Sequence, residues 1–438
     1  MSADLQNRAE QAVEMLRTAG ADDAWATAAQ SRDVEFNYRD GALEQVKDTT
    51  SRMLAIQVYA NGRYSSHQTT DLNPDRLGGF LKEAVDITGA LEPDAQRKLT
   101  APELYANRPA VDLDLVDRSV QALDRHQRVE WCETLDGIAR QHERVISATS
   151  SVQDGTQTTA SASSNGFSGV QASTYCWLGA SVTLRDRGDR RSADGFYAGS
   201  PHVSDVPDAA SVASTALERA LDRLDAEKGP TIRSVMVVDS RAAAQLVRRL
   251  MGTANARSVQ QGRSFWADIV GKEVFSPKLT ILDDPLVVRG LASRHYDREG
   301  ISAKVLPIVE QGVVRNLYVD TYYGRKAGMT PTTGSASNRR IEPGDQSLSE
   351  LLSDAGEGVY VTSWLGGNAD GTTGDFSLGL RGHMIENGEI GRPVGEMNVT
   401  GNLRDLFARL EAVGNDPYPY SSTLAPSLMF SAVDFSGV

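Results

Sequence analysis

The stretch Trp364–Asp416, WLGGNADGTTGDFSLGLRGHMIENGEIGRPVGEMNVTGNLRDLFARLEAVGND, decides how the rest of the chain is read. Gly366, Gly367, Gly371, Gly374, Gly379, Gly382, Gly388, Gly391, Gly395 and Gly401 stand there among Asp, Asn and Thr, a mixture that suits tight turns and close backbone approach. Such a segment is either a binding surface or a set of hairpins. A phosphate cradle fits poorly, because no glycine run leads into Gly-Lys-Ser/Thr and none follows a strand and opens a helix. Hairpins fit well. Ile385-Glu386-Asn387-Gly388-Glu389-Ile390 reads as strand, tight turn and return strand, and Val309-Glu310-Gln311-Gly312-Val313 repeats the pattern, which hints at a repeated unit inside one β-rich domain.

Working outward, the segments GVYVTSW, KVLPIVEQGVVRNLYVD and KLTILDD are further short strands, and SVMVVD is another. Asp239 or Ser240 caps a helix carrying Ala243, Leu246, Val247, Leu250 and Met251 at helical spacing. The break at Lys228-Gly229-Pro230 sets the start of this β-rich C-terminal domain, 230–438. Before it, a central helix and strand domain, 111–229, holds a helix with Val129, Cys132, Leu135 and Ile138. Ser/Thr-rich strands from Val145 to Leu184 follow, with turns expected at Asp154-Gly155 and Asn165-Gly166. The run DRGDRRSADG is expected as a charged surface loop, and Leu217, Leu221 and Leu224 as a last helix.

The N-terminal domain, 1–110, opens with a helix whose Leu5, Ala9, Ala12, Val13 and Leu16 share one face and which stops at Gly20. Val34, Phe36 and Tyr38 alternate up to Asp40-Gly41, and Leu54, Ile56 and Val58 up to Asn61-Gly62, an antiparallel meander. Asn73 and Pro74 then begin a second helix. The Pro-bearing stretch from Glu92 to Asp112 is a boundary. The fold class is α+β: an N-terminal antiparallel sheet with helices, a central mixed segment and a β-rich C-terminal domain.

A formal net charge of -13 over 438 residues argues against nucleic acid and anionic lipid as partners. No apolar run suggests a signal peptide or a membrane span, so the chain is expected in the cytoplasm. Cys132 and Cys176, with no CxxC partner, are expected as buried thiols. Of the histidines only His142 precedes a Glu, but Ile146 and Ser147 stand where a second zinc ligand would have to be; His67, His126, His202, His295 and His383 are scattered. Gly-x-Ser-x-Gly is absent, and TPTTGSASNRR is a polar loop without an adjacent base. From the residues alone no catalytic set, metal site or cofactor site is visible.

IVEQGVVRNLYVDTYYGRKAGM, TGDFSLGLRGHMIENGEIGRPVGEMNVTGNL and the EAVGND ending, together with VYANGRY and SSNG nearer the start, resemble the TldD/PmbA family, also called TldD/TldE, and most of all its PmbA (TldE) branch. The resemblance implies a cytoplasmic metalloprotease system that trims or degrades unfolded peptides; the older label of DNA gyrase modulator sits badly with so acidic a chain. In the TldD branch a helix bearing His-Glu-x-x-x-His, with a C-terminal Cys, holds zinc. On that pattern AAAQLVRRLMGTANA carries Arg248, Arg249 and Thr253 at the three positions, and Tyr420-Ser421-Ser422-Thr423 offers no Cys. Arginine cannot deprotonate to become a ligand. The resemblance therefore implies a non-catalytic subunit without cofactor or metal of its own, which would need a zinc-bearing TldD-like partner for proteolysis and would hold unfolded or extended peptides. A stand-alone homodimeric peptide-binding protein is the alternative.

Overall fold

The computed structural model describes residues 2–437. Six strands, β1 (Asp23–Arg39), β2 (Ala42–Ala60), β3 (Arg63–Thr69), β4 (Val145–Ser163), β5 (Ser168–Arg185) and β6 (Arg191–Ser200), form one antiparallel sheet in the order β3-β2-β1-β4-β5-β6. Asp40 and Gly41 (φ 52° and 87°) and Asn61 and Gly62 (φ 52° and 72°) make the two hairpin turns expected of them; both central residues have positive φ, the type I′ geometry that matches strand twist. The sheet runs through the boundary drawn at residue 110: β4 pairs with β1 from Trp25↔Ser163 to Arg39↔Thr149.

One face of this sheet is helix-covered. Helices α1 (Ser2–Thr18) and α2 (Pro74–Gly89) lie over Ala24, Ala26, Ala28, Leu54, Ile56 and Val58. After the short α3 (Arg118–Ala122), α4 (Arg125–Ala139) and α5 (Ala209–Leu221) cover Val34, Phe36, Val152, Ala180 and Val182. The five apolar positions of α1 are all buried, and Asn73 caps α2 through the Asp75 N–H with Pro74 at the first turn, as the sequence predicts. Cys132 and Cys176 are buried free thiols, each pushed up to about 12 by that burial.

Two expectations are corrected here. Asp154-Gly155 is no turn but lies inside β4. Arg128 of α4 grips the Asp154 carboxylate with two bonds of 2.6 and 2.8 Å, both side chains almost wholly buried, and a Cβ on Gly155 would come within 2.7 Å of the Tyr175 ring. The charged loop is short, because β6 begins at Arg191, and its Asp186 is buried. Burial alone would raise the pKa of Asp186, but Ser192 Oγ, the N–H groups of Arg187 and Asp225, and Arg190 outweigh it and hold it at about 2.

The C-terminal half carries β7 (Glu227–Lys228), β8 (Ile232–Val238), β9 (Ile281–Asp284), β10 (Leu306–Glu310), β11 (Val313–Val314), β12 (Asn338–Ile341), β13 (Gly358–Ala369), β14 (Asp375–Glu386), β15 (Glu389–Asn402), β16 (Leu410–Val413), β17 (Thr423–Leu424) and β18 (Leu428–Gly437). A seven-stranded sheet, β16-β18-β8-β13-β14-β15-β7, gains an extra pairing between β15 and β18 that closes it into a barrel-like form; the other sheet is β11-β10-β9-β12-β17. The opening stretch is thus the hairpin set β13 to β15. Asn387-Gly388 (φ 55° and 80°) and Gln311-Gly312 (φ 48° and 80°) adopt the same turn, but in different sheets, so their common pattern marks a common turn. Helix α6 (Ser240–Met251), capped by Asp239, buries Ala242, Ala243, Leu246, Val247, Leu250 and Met251 in the main core. Helices α7 (Ala256–Gln260), α8 (Thr321–Ala327), α9 (Leu348–Ala355) and α10 (Leu403–Ala408) complete the half. Among the described residues no helix is long and apolar enough to cross a membrane.

Candidate functional site

Side chains alternate across a strand, so the residues next to the helix-covered positions point to the other face. There Trp25 and Thr27 of β1, Gln57 and Tyr59 of β2, and Tyr64, Ser66 and Gln68 of β3 face α7, α8 and the loop around Arg298 across a groove of about 1300 Å³. This face is polar but ordered: the Trp25 indole N–H donates to Thr27 Oγ1 at 3.0 Å, and Thr27 meets Ser161 at 2.8 Å. At the rim the Arg97 guanidinium lies between two rings, 3.5 Å from the centre of Tyr322 and 4.7 Å from that of Tyr64. Tyr322 Oη donates to Asp94 at 2.7 Å, and that bond, first among its partners, holds the Asp94 carboxyl below the usual range. Arg325 donates to the carbonyls of Gln96, Lys98 and Leu99, tying this rim to α8. Burial raises the pKa of Glu299 and outweighs the two bonds that Thr321 donates to it. Strand β3 is the edge of its sheet, and on its outer side the Gly62 carbonyl just before it accepts from the Asp94 N–H.

The three positions matched to a zinc helix are only partly brought together. Helix α6 stops at Met251, so Thr253 lies beyond it; the chain turns there because Asn255 already caps α7 through Ser258 N–H. Thr253 borders the groove and donates to the Gly371 carbonyl at 3.2 Å. Arg248 instead meets the C-terminal segment, its Nη1 3.4 Å from Ser421 Oγ, and partial burial, then Arg339 and Arg249, lower its pKa. The Arg249 Nε is buried with no hydrogen-bond partner among the described residues. Zinc binds His, Cys and carboxylate ligands, so Arg, Arg, Thr and Ser do not fit it, and the neighbouring guanidiniums would repel a cation. Among the described residues no three His, Cys, Asp or Glu side chains group closely enough to hold a metal.

The Gly-rich stretch borders a different cavity of about 650 Å³, where Arg381 and His383 of β14 face Arg219 and Arg223. Burial pushes the His383 pKa down. The sequence reading missed most of the groove's lining. The available signal was in motifs quoted for the family: VYANGRY supplies Tyr59 and Tyr64, and YVDTYYGRK supplies Tyr318, Tyr322 and Tyr323. Arg97 falls within the Glu92–Asp112 stretch that the sequence marks as a boundary.

The helix-backed antiparallel sheet and the barrel-like β domain that face each other across the groove each carry a match to a protein-family model. Residues 118–224 match the PmbA/TldA metallopeptidase central domain, and residues 232–437 the PmbA/TldA metallopeptidase C-terminal domain. The chain belongs to the TldD/PmbA family. It is 28% identical over 426 residues to the metalloprotease PmbA of Escherichia coli O157:H7, covering 96% of this chain and 94% of that protein. A Bacteroides thetaiotaomicron structure, proposed to be a modulator of DNA gyrase, superposes with a TM-score of 0.96 at 34% identity, over 99% of this chain and 98% of that one. TldE from Thermococcus kodakarensis shares the fold, with a TM-score of 0.85 at 16% identity over 98% and 99% of the two chains.

Proposed function

We propose that this chain is the non-catalytic, TldE-like subunit of a TldD/TldE-type zinc metalloprotease, and that its groove holds an extended peptide for a TldD-like partner whose zinc does the cutting. What supports this is the donor set: on the family pattern Arg248, Arg249 and Thr253 fall at the positions of a zinc helix's His, Glu and His, and Ser421 lies beside Arg248 in the segment without a Cys. A second feature supports peptide holding. The edge strand β3 borders the groove through Tyr64, Ser66, His67 and Gln68, and an added strand would read backbone rather than sequence, as broad peptide clearance requires.

The test mixes the full chain with a TldD-like subunit and follows cleavage of an unfolded peptide. Cleavage only when both chains are present is the expected result. Bound zinc and full activity in this chain alone would overturn it. Peptide binding with no cleavage, in a mixture that forms no mixed dimer, would favour the stand-alone homodimer instead.

A further inference from the structure

The groove has a charge opposite to that of the chain around it. Arg97, Lys98, Arg257, Arg263 and Arg298 line it, against only Glu299 and Asp320, in a protein of net charge -13. Both carboxylates are already engaged by the fold: Glu299 receives the N–H and Oγ1 of Thr321, at 3.0 and 2.9 Å, and Asp320 caps α8 by accepting from the Tyr323 N–H at 2.6 Å. Asp94, beside Arg97, is taken by Tyr322. None of the five cations makes an ion pair among the described residues, and Lys98, Arg257, Arg263 and Arg298 are exposed. Unpaired cations in a cleft with low-dielectric walls focus the field and raise the local concentration of the opposite charge.

Their placement matters as much as their number. Arg97 lies 4.7 Å from the Tyr64 ring of β3 with Lys98 next to it in the chain, while Arg257 of α7 and Arg263 just beyond that helix line the same groove, so the cations come from separate elements around the path that a strand laid along β3 would take. We propose that the groove selects extended peptides rich in Asp and Glu. This rests on the peptide-holding reading above and adds to it a substrate class: the backbone is held by the strand edge, and the side chains are chosen by the arginines and Lys98.

The test uses three labelled, unfolded peptides of equal length, with Glu, Gln or Lys at the same positions. Their binding to the full chain is read by fluorescence anisotropy, and their cleavage by the chain mixed with a TldD-like subunit. The Glu peptide is expected to bind on the order of tenfold more tightly than the Gln peptide at low salt. That preference should fade towards 1 M salt, where the screening length falls to about 3 Å. Arg257→Glu with Arg263→Glu should erase it while the melting temperature stays put, since both side chains are exposed; Arg298→Glu serves as a second variant should that pair unfold the protein. Equal binding of the Glu and Gln peptides, or a preference that survives the charge reversals in a folded protein, would overturn the proposal. The two readings fail separately: mixed-subunit cleavage of all three peptides at one rate with equal binding sinks the acidic selection alone, whereas Glu-selective binding with no cleavage sinks the protease-subunit reading alone.

Discussion

The two faces of the N-terminal sheet are built from the same strands and solve opposite problems. The helix-covered face is apolar, and where it buries a charge it answers it at once: Asp154 has both carboxylate oxygens on Arg128, and in the loop just beyond β5 the buried Asp186 is likewise surrounded by four donors. The groove face keeps Thr27, Gln57 and Tyr59 partly in water beside the buried Trp25, and its rim leaves cations unanswered. Buried, paired contacts are concentrated on one side of the pleat and open polar ones on the other. A residue's role follows from its parity along the strand.

The largest effect that would test this contrast is Asp154→Ala. It strands the Arg128 guanidinium in the core and should cost about 3–5 kcal/mol, read from the urea midpoint. A loss below 1 kcal/mol would mean that the buried pair is not what holds α4 to the sheet. Leu135→Ala, a fully buried position on the same helix, should cost about 2–5 kcal/mol through the cavity it leaves. Asp186→Asn addresses acid stability. Because the folded pKa of about 2 lies below the unfolded value near 3.9, the native protein draws stability from this group above about pH 4 and loses it as pH falls towards 2. The variant should show a flatter decline across that window, and an unchanged acid profile would contradict the assignment. Smallest is Gln57→Ala on the groove face, expected within about 0.5 kcal/mol in the same urea assay. Its measurable consequence is expected in peptide binding, as weaker binding of an unfolded peptide. Alongside these, neither Cys132 nor Cys176 should react with iodoacetamide in the folded protein, because burial keeps both as thiols.

The local grammar of the chain was legible, and the long-range pairings were not. Leu5 to Leu16 mark α1, Asp40-Gly41 and Asn61-Gly62 mark their turns, and Asn73-Pro74 marks the start of α2, because each feature is settled within a few residues. Asp154-Gly155 carries the same turn signal and is mid-strand, since what decides it is Arg128 on another element 26 positions away. The pairing of β1 with β4 joins positions more than a hundred residues apart and leaves no periodic trace in either. The groove failed to show for the same reason: Tyr64, Arg97 and Tyr322 meet only once both halves are folded. Arg248 and Thr253 were found by family pattern, and their separation by the end of α6 needed the fold.

Arg325 carries one last consequence. Three backbone carbonyls along one lip of the groove, those of Gln96, Lys98 and Leu99, accept from this single guanidinium on the other half of the molecule, and charge-assisted bonds of this kind are each worth about 1.5–3 kcal/mol. Widening the groove would mean breaking all three together with the neighbouring Arg97–Tyr322 stack. The cleft therefore behaves as a slot of fixed gauge. If the groove holds peptides as proposed, a fixed width would favour an extended strand over a folded domain before any side chain is read.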